Sequence, residues 1–309
     1  MSRPPPPTLG LWLRMTRPGF LAVTAVGCGV GIASALAWGS PFHPALAAAT
    51  VLLALAAHAA ANVLNDWADA LSGADAANTQ AIAPFTGGAG FIQRGEVSLD
   101  ETRRLALGLA ALAVLGGLWL SWQVGGGLLL IGLAGAFVGW AYSARPLQLM
   151  ARGAGELAVA LAWWLVGLGA DYVQRRGFSA MPAVIGVSYA LMVANILLIN
   201  GVPDAPSDAR VGKRTLAVRL GPGGVARAYL MIALAAQAWA VGSACLRLAP
   251  LPTLAALVAL PASLAAAALL WRHAEDRARL RLAIVLTILA ALLHGLGLMG
   301  GLLFVAAQR

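Results

Sequence analysis

Charge is scarce in this chain. Asp, Glu, Lys and Arg make up 11% of its 309 residues, against roughly 25% in a soluble domain. That excludes an ordinary water-soluble fold. Cysteine is rarer still, with only Cys28 and Cys245. Both fall in apolar stretches without metal-ligand spacing or a disulfide framework, so they read as small core residues. Short strands of alternating polarity are missing too, which excludes a membrane β-barrel. The formal charge is +9, but no tract gathers the basic residues, so nucleic acid is not an expected partner.

What the chain has instead is apolar length. It is 60% hydrophobic, with a mean hydropathy of +0.81. Stretches of about 20 residues run with little or no charge, enough to cross a bilayer as a helix. The expected fold is all-α, one polytopic membrane domain over residues 1–309, bundled around a central apolar cavity. Nine spans are expected at about 18–38, 44–66, 103–122, 124–143, 155–173, 180–200, 225–246, 250–271 and 282–305. The Pro-rich start, residues 1–10, reads as a flexible tail. The first span is long enough to stay in the membrane rather than be cleaved.

The loops carry a topology signal. With the N-terminus cytoplasmic, only Arg175, Arg176, Arg247 and Arg309 of the 21 Lys and Arg fall on the far side. That is a positive-inside pattern, expected here for a bacterial inner membrane. Of the 12 acids, only Asp171 falls on the far side. Topology does not require this second asymmetry, so it implies a polar site facing the cytoplasm. Two long cytoplasmic loops are expected, over 67–102 and 201–224. Each follows a span ending in Asn and Asp, a pattern that hints at a duplication offset by four helices.

The first cluster lies in NVLNDWADALSGAD, residues 62–75. At about 100° per residue, Asp66 falls about 40° from Asn62, Asp69 about 20° and Asn65 about 60° the other way, so the four share one helix face. Asp75 lies beyond Gly73, past the expected helix end. In the second cluster, Asn200, Asp204 and Asp208 span about 80°, although Pro203 interrupts the stretch and disfavours helix at Val202. Carboxylates this close repel one another. A hard divalent cation reverses that, and Mg²⁺ typically binds a few carboxylates together with substrate phosphates. The alternative is two sets of helix-end acids solvated at the interface. Lys213, Arg214 and Arg219 follow the second cluster and suit phosphate oxygens, or else anchor the loop.

These residues carry a specific resemblance. NVLNDWADALSGAD (62–75), PFTGGAGFIQRG (84–95), YSARPLQLMARGAGE (142–156) and NGVPDAPSDARVGKRTLAVRLG (200–221) are similar to motifs of the UbiA superfamily of intramembrane aromatic prenyltransferases. WLRMTRPGF (12–20) resembles the family's Arg-Pro entry to its first helix, and nine helices is its architecture. The D-x5-D spacing of Asp69 and Asp75, with a Thr-Gly-Gly loop after it, is most like the 1,4-dihydroxy-2-naphthoate branch of menaquinone synthesis. Pro203 departs from the commoner second motif.

The resemblance implies Mg²⁺-dependent transfer of a polyprenyl group from its allylic diphosphate to an aromatic ring. In the naphthoate branch, the ring carbon bearing the carboxylate is attacked and carbon dioxide is lost. It implies metal ligands among Asn62, Asp66, Asp69, Asp75, Asp204 and Asp208, with Asp66, Asp69, Asp204 and Asp208 catalytic. Asn62, Asn65 and Asn200 would bind substrate, and Arg94, Arg145, Lys213 and Arg214 would pair the diphosphate. Tyr142, with Trp67, would face the allylic cation. The expected partners are a polyprenyl diphosphate, an aromatic acceptor and the lipid bilayer.

Other acceptors, such as 4-hydroxybenzoate or homogentisate, stay open. An ion-coupled transporter would place its ionisable groups near the bilayer midplane, whereas these sit at helix ends. A phospho-alcohol transferase would carry a single acidic motif with a Gly and Arg pattern absent here. His58, one turn before Asn62 on the same face, is either a site or a packing residue, and Glu156 either a helix N-terminal acid favoured by the dipole or a residue near the site. Trp163, Trp164 and His294 read as packing residues. Gly135 and Gly139 read as a close helix contact, and Gly87, Gly88 and Gly90 as the hinge of a loop folding over the site. RHAEDRARLR (272–281) reads as a solvated loop.

Overall fold

The structure is a computed structural model that describes residues 8–309. Residues 1–7 of the expected tail lie outside the described residues. Thr8 is not tail: its hydroxyl accepts from the Leu11 N–H at 3.3 Å and caps α1, Leu9–Met15.

The chain continues as α2 (Pro18–Ala37), α3 (Pro44–Ser72), the single turn α4 (Ala74–Ala77), α5 (Leu99–Val124) and α6 (Gly127–Ser143). Then come α7 (Gly155–Arg175), α8 (Ala180–Arg210), α9 (Leu216–Cys245), a 3-10 segment (Leu251–Ala259) running into α10 (Leu260–His273), and α11 (Arg277–Ala307). Among the described residues, eight of the nine expected spans coincide with helices long and apolar enough to cross a membrane. The fourth, α6, is apolar but short: its 17 residues reach about 25 Å at 1.5 Å per residue. The molecule is a multi-pass helical membrane protein.

The boundaries move where the acids are. α3 runs past residue 66 to Ser72 and stops at Gly73, whose φ of 76° supplies the left-handed cap. α8 runs past residue 200 to Arg210, straight through Pro203 and Pro206. Each proline lacks an N–H and leaves one carbonyl unpaired in the helix ladder. Packing outweighs that loss: Val202 and Ala205 lie against the buried cluster around Tyr229 and Leu198. The expected loop over 201–224 therefore shrinks to the residues between α8 and α9. α5 begins at Leu99 rather than 103, because Ser98 and Glu101 form a reciprocal capping box. So both acidic clusters ride on helical extensions, not on loops. α9 holds a break of its own, at Gly221 (φ 63°) before Pro222, close to where the seventh span was expected to begin.

α8 runs through the middle of the bundle. Tyr189 donates to the Val23 carbonyl of α2 at 2.5 Å, and Asn195 to the Tyr229 carbonyl of α9 at 3.1 Å. His294 of α11 meets the Ser188 hydroxyl at 3.0 Å. Polar side chains inside a bundle find partners on neighbouring helices in this way, and His294 packs as expected. Gly135 and Gly139 do not seat a helix: a Cβ at either would meet nothing within 4 Å. α5 and α6 turn Leu115, Trp122, Leu130 and Phe137 outward, an apolar surface suited to lipid.

The opposite end of the bundle explains the lone far-side acid. Buried Asp171 pairs with Arg175 one turn on, at 2.9 Å. Beside it, Gln174 accepts from the His43 N–H at 2.8 Å. Gln174 thereby ties α7 to the start of α3.

Candidate active site: an acid-lined cavity

The ends of α3 and α8 open onto one cavity of about 410 Å³. Asn62, Asn65 and Asp69 reach it from α3, Asp75 and Asn78 from α4 and the residue after it, and Asn200, Asp204 and Asp208 from α8. Deeper in the bundle the wall turns apolar, with Phe20 and Val23 from α2, Val159 and Trp163 from α7, and Ile196 and Leu197 from α8. Tyr142 joins it from α6.

The acids are held by a dense set of partners. Lys213 stands 2.6 Å from Asp69 and 3.3 Å from Asp208, so one ammonium joins the two clusters. Burial lowers its proton affinity, but the two carboxylates outweigh burial and hold it above the usual lysine range. Asn65 donates to Asp69 at 3.0 Å, and Asn78 to Asp204 at 2.6 Å. Asp75 accepts from Gln93 at 3.2 Å. Burial, then the charges of Asp69 and Asp66, push the Asp75 carboxyl up to about 7.

The loop between α4 and α5 folds over this end, as its glycines suggested. Gly87, Gly88 and Gly90 all have φ near 70°, open to glycine at little cost. Gly87 and Gly88 line the cavity. A Cβ on Gly88 would come within 3.0 Å of the Asp75 carboxyl carbon. Arg277, the first residue of α11, donates to the Ala81 carbonyl of this loop at 2.5 Å, so the charged stretch 272–281, most of it helical, is not wholly solvated.

The donor set suits Mg²⁺: carboxylates and carboxamide oxygens, with no sulfur or imidazole among the clusters. The Asn200 Oδ1 is buried without a partner. Among the described residues no three His, Cys, Asp or Glu side chains are grouped closely enough to hold an ion alone. Substrate phosphates ordinarily complete such a shell for Mg²⁺.

The comparisons with known proteins converge on the same chemistry. A family model described as the UbiA prenyltransferase family matches residues 21–289. The chain belongs to that family. This prenyltransferase is 29% identical over 225 residues to a 1,4-dihydroxy-2-naphthoate octaprenyltransferase of Escherichia coli, covering 68% of each chain. It is 32% identical to the enzyme of that name from Mycobacterium tuberculosis, over 68% of this chain and 70% of the other. A 2-carboxy-1,4-naphthoquinone phytyltransferase of Synechocystis is 29% identical, over 70% and 68%. The fold matches solved UbiA homologues: one from Aeropyrum pernix at TM-score 0.67 and 18% identity, covering 89% of this chain and 96% of that one. Another, from Archaeoglobus fulgidus and bound to DMAPP and Mg²⁺, matches at TM-score 0.63 and 15% identity, covering 94% and 99%.

Not every expected site residue of this prenyltransferase reaches the cavity. Asp66 lies behind the wall, bound to Arg17 and to the Ala89 N–H at 3.1 Å. Arg94 is exposed, pairs with Glu96, and stacks on Phe91 at 4.7 Å. Arg145 is exposed as well. Arg214 is exposed and is tied down through its backbone N–H to the Ala151 carbonyl at 2.8 Å. Trp67 turns to α5, with Arg103 6.0 Å over its ring. For Asp66, Arg94 and Trp67 a neighbouring group takes the side chain before the cavity can.

Other residues were missed. Arg17 lines the cavity, with a left-handed backbone (φ 54°) just before Pro18, and its Nε is buried without a partner. The Arg-Pro pair in WLRMTRPGF was its only signal. Asn78 had none. Trp163 lines the cavity rather than simply packing, whereas Trp164 packs, donating to the Ala183 carbonyl at 2.8 Å. Glu156 is half-buried at the start of α7, outside the cavity wall.

Proposed function

We propose that this enzyme transfers a polyprenyl group from its allylic diphosphate to 1,4-dihydroxy-2-naphthoate, with Mg²⁺ as cofactor. The observation that carries the reading is the meeting of Asp69 and Asp75 with Asp204 and Asp208 on one cavity whose deeper wall is apolar. The D-x5-D spacing and the names of the sequence relatives favour the naphthoate acceptor.

Asp69, Asp75, Asp204 and Asp208, with Asn62 and Asn200, would hold the metal. When bound, Mg²⁺ neutralises the diphosphate and stabilises the charge that grows as the C–O bond breaks. Lys213 and Arg17 supply fixed positive charge at the same end, where the leaving diphosphate needs it. The apolar wall keeps water from the allylic cation, and Tyr142 and Trp163 present aromatic rings to it. Asp66 fixes Arg17 and the loop at Ala89. Arg94, Arg145 and Arg214, though outside the wall, lie on segments flanking the site and remain candidates for drawing diphosphate toward it.

The excess of Lys and Arg in the loops at one end supports an N-terminus and a cavity mouth on the cytoplasmic side of an inner membrane. The test is an acceptor screen on the purified chain in liposomes, with Mg²⁺ and geranylgeranyl diphosphate, read by product mass. A prenylated, decarboxylated naphthoquinol is the expected product. Prenylation of 4-hydroxybenzoate or homogentisate alone would replace the acceptor. No EDTA-sensitive diphosphate release with any acceptor would overturn the reading.

A further inference from the structure

The ionisable residues lining the cavity sort themselves by partner. Asp69, Asp75, Asp204 and Asp208 form the acid cluster, and Arg17 is bound to Asp66. Only His58 and Tyr142 remain. His58 sits four residues before Asn62 on α3, about 6 Å deeper at 1.5 Å per residue. That is the zone between the diphosphate end and the apolar wall, where the ring that attacks the prenyl carbon must lie.

Two other helices hold the His58 ring. Its Nδ1 is 2.8 Å from the Thr24 hydroxyl of α2. Its edge stands against Trp163 of α7, with centroids 4.9 Å apart and planes at 89°. Among the described residues, none makes a hydrogen bond to its Nε2. His294 shows the contrast: it is fully enclosed, with Nε2 on Ser188. A histidine that serves packing is sealed in this way. His58 is half-buried and opens on the cavity.

We infer that His58 is a catalytic residue, the acceptor of the proton from the ring hydroxyl of the aromatic substrate. The inference rests on the prenyl-transfer reading above. In the tautomer this role needs, Nδ1–H donates to Thr24 and the Nε2 lone pair faces the cavity. The hydroxyl proton passes to Nε2, and the electron pair left on oxygen enriches the ring. A ring π pair then forms the C–C bond to the allylic carbon, while the C–O pair leaves on the diphosphate. The attacked carbon sheds carbon dioxide or a proton and the ring regains its aromaticity. The pair released at that carbon returns the charge to the oxygen, which takes its proton back from the imidazolium, and any ring proton shed passes to solvent as the products leave. The four carboxylates are poor candidates for this step, because they are committed to the cation and the diphosphate.

The experiment uses the full chain with Mg²⁺, geranylgeranyl diphosphate and the best acceptor of the screen. His58→Gln should lower kcat by about 10²- to 10⁴-fold, the usual weight of a general base. The KM for geranylgeranyl diphosphate should stay within about threefold, since that substrate's binding does not use the residue. Mg²⁺-dependent binding of a non-transferable thiodiphosphate analogue should be unchanged. Added imidazole should restore part of the His58→Ala turnover, which a packing role does not predict. Near-normal kcat in His58→Gln, or a loss matched by loss of analogue binding, would overturn the assignment and leave prenyl transfer standing. No transfer by the unaltered chain would overturn both.

Discussion

The Lys213 ammonium lies 2.6 Å from the Asp69 carboxylate, across 144 residues of sequence. This ion pair, extended at 3.3 Å to Asp208, joins the end of α3 to the loop after α8. It holds together two acid clusters that would otherwise repel.

Lys213→Met should therefore destabilise the metal-free protein by about 3 kcal/mol, since removing one partner of a shielded pair strands the other charges. Mg²⁺ should recover more stability in the variant than in the parent, because a cation then does the neutralising. Thermal unfolding in detergent with and without Mg²⁺ checks this. An equal Mg²⁺ response in both proteins would count against a shared role for Lys213 and the metal.

Arg17 and Asp66 form a second buried pair, and Asp66 also holds the loop at Ala89. Arg17→Met alone should cost about 3–5 kcal/mol by leaving Asp66 uncompensated. The double variant Arg17→Met with Asp66→Leu should lose less than the sum of the single changes. Unfolding free energies around the cycle measure the coupling, and strict additivity would contradict it.

Asp75 gives a pH signature. With its carboxyl pushed up to about 7, the folded protein holds a proton that the unfolded chain has already lost above the ordinary carboxylate range. Its contribution to metal-free stability is complete below that range and disappears as pH rises toward about 7. Mg²⁺ affinity should run the other way and rise with pH over the same window, because cation and proton compete. Asp75→Asn should flatten both trends. Calorimetric Mg²⁺ titrations at several pH values decide it.

Asp69→Asn and Asp204→Asn each keep the shape of the side chain and remove one charge from the cavity wall. Each should cut prenyl transfer by about a hundred- to a thousandfold, the order found when one electrostatic stabiliser is lost. Helical content by circular dichroism should be unchanged. Turnover close to normal in either would remove that residue from the metal site.

Much of the fold was legible because apolar length is a local property. Each stretch of about 20 uncharged residues must bury its backbone polar groups in a helix once it enters lipid. Asn62, Asp69, Asp204 and Asp208 were legible too, because their spacing keeps them on one helix face. Helix ends were harder. Nothing local predicts helix through Pro203 and Pro206; packing on α9 decides it.

What the sequence alone determined was therefore the class of the molecule, most of its spans, and most of the acids that meet at its cavity. Tertiary structure decided which side chains face the cavity. The first helix face carried Asn62, Asp66 and Asp69 together, yet Arg17, from the joint between α1 and α2, draws Asp66 behind the wall. Arg94 was expected to pair the diphosphate, yet Glu96 and Phe91 hold it outside the cavity wall. A helix face limits where a side chain can point. The partner it meets, brought from elsewhere in the chain by packing, decides where it stays.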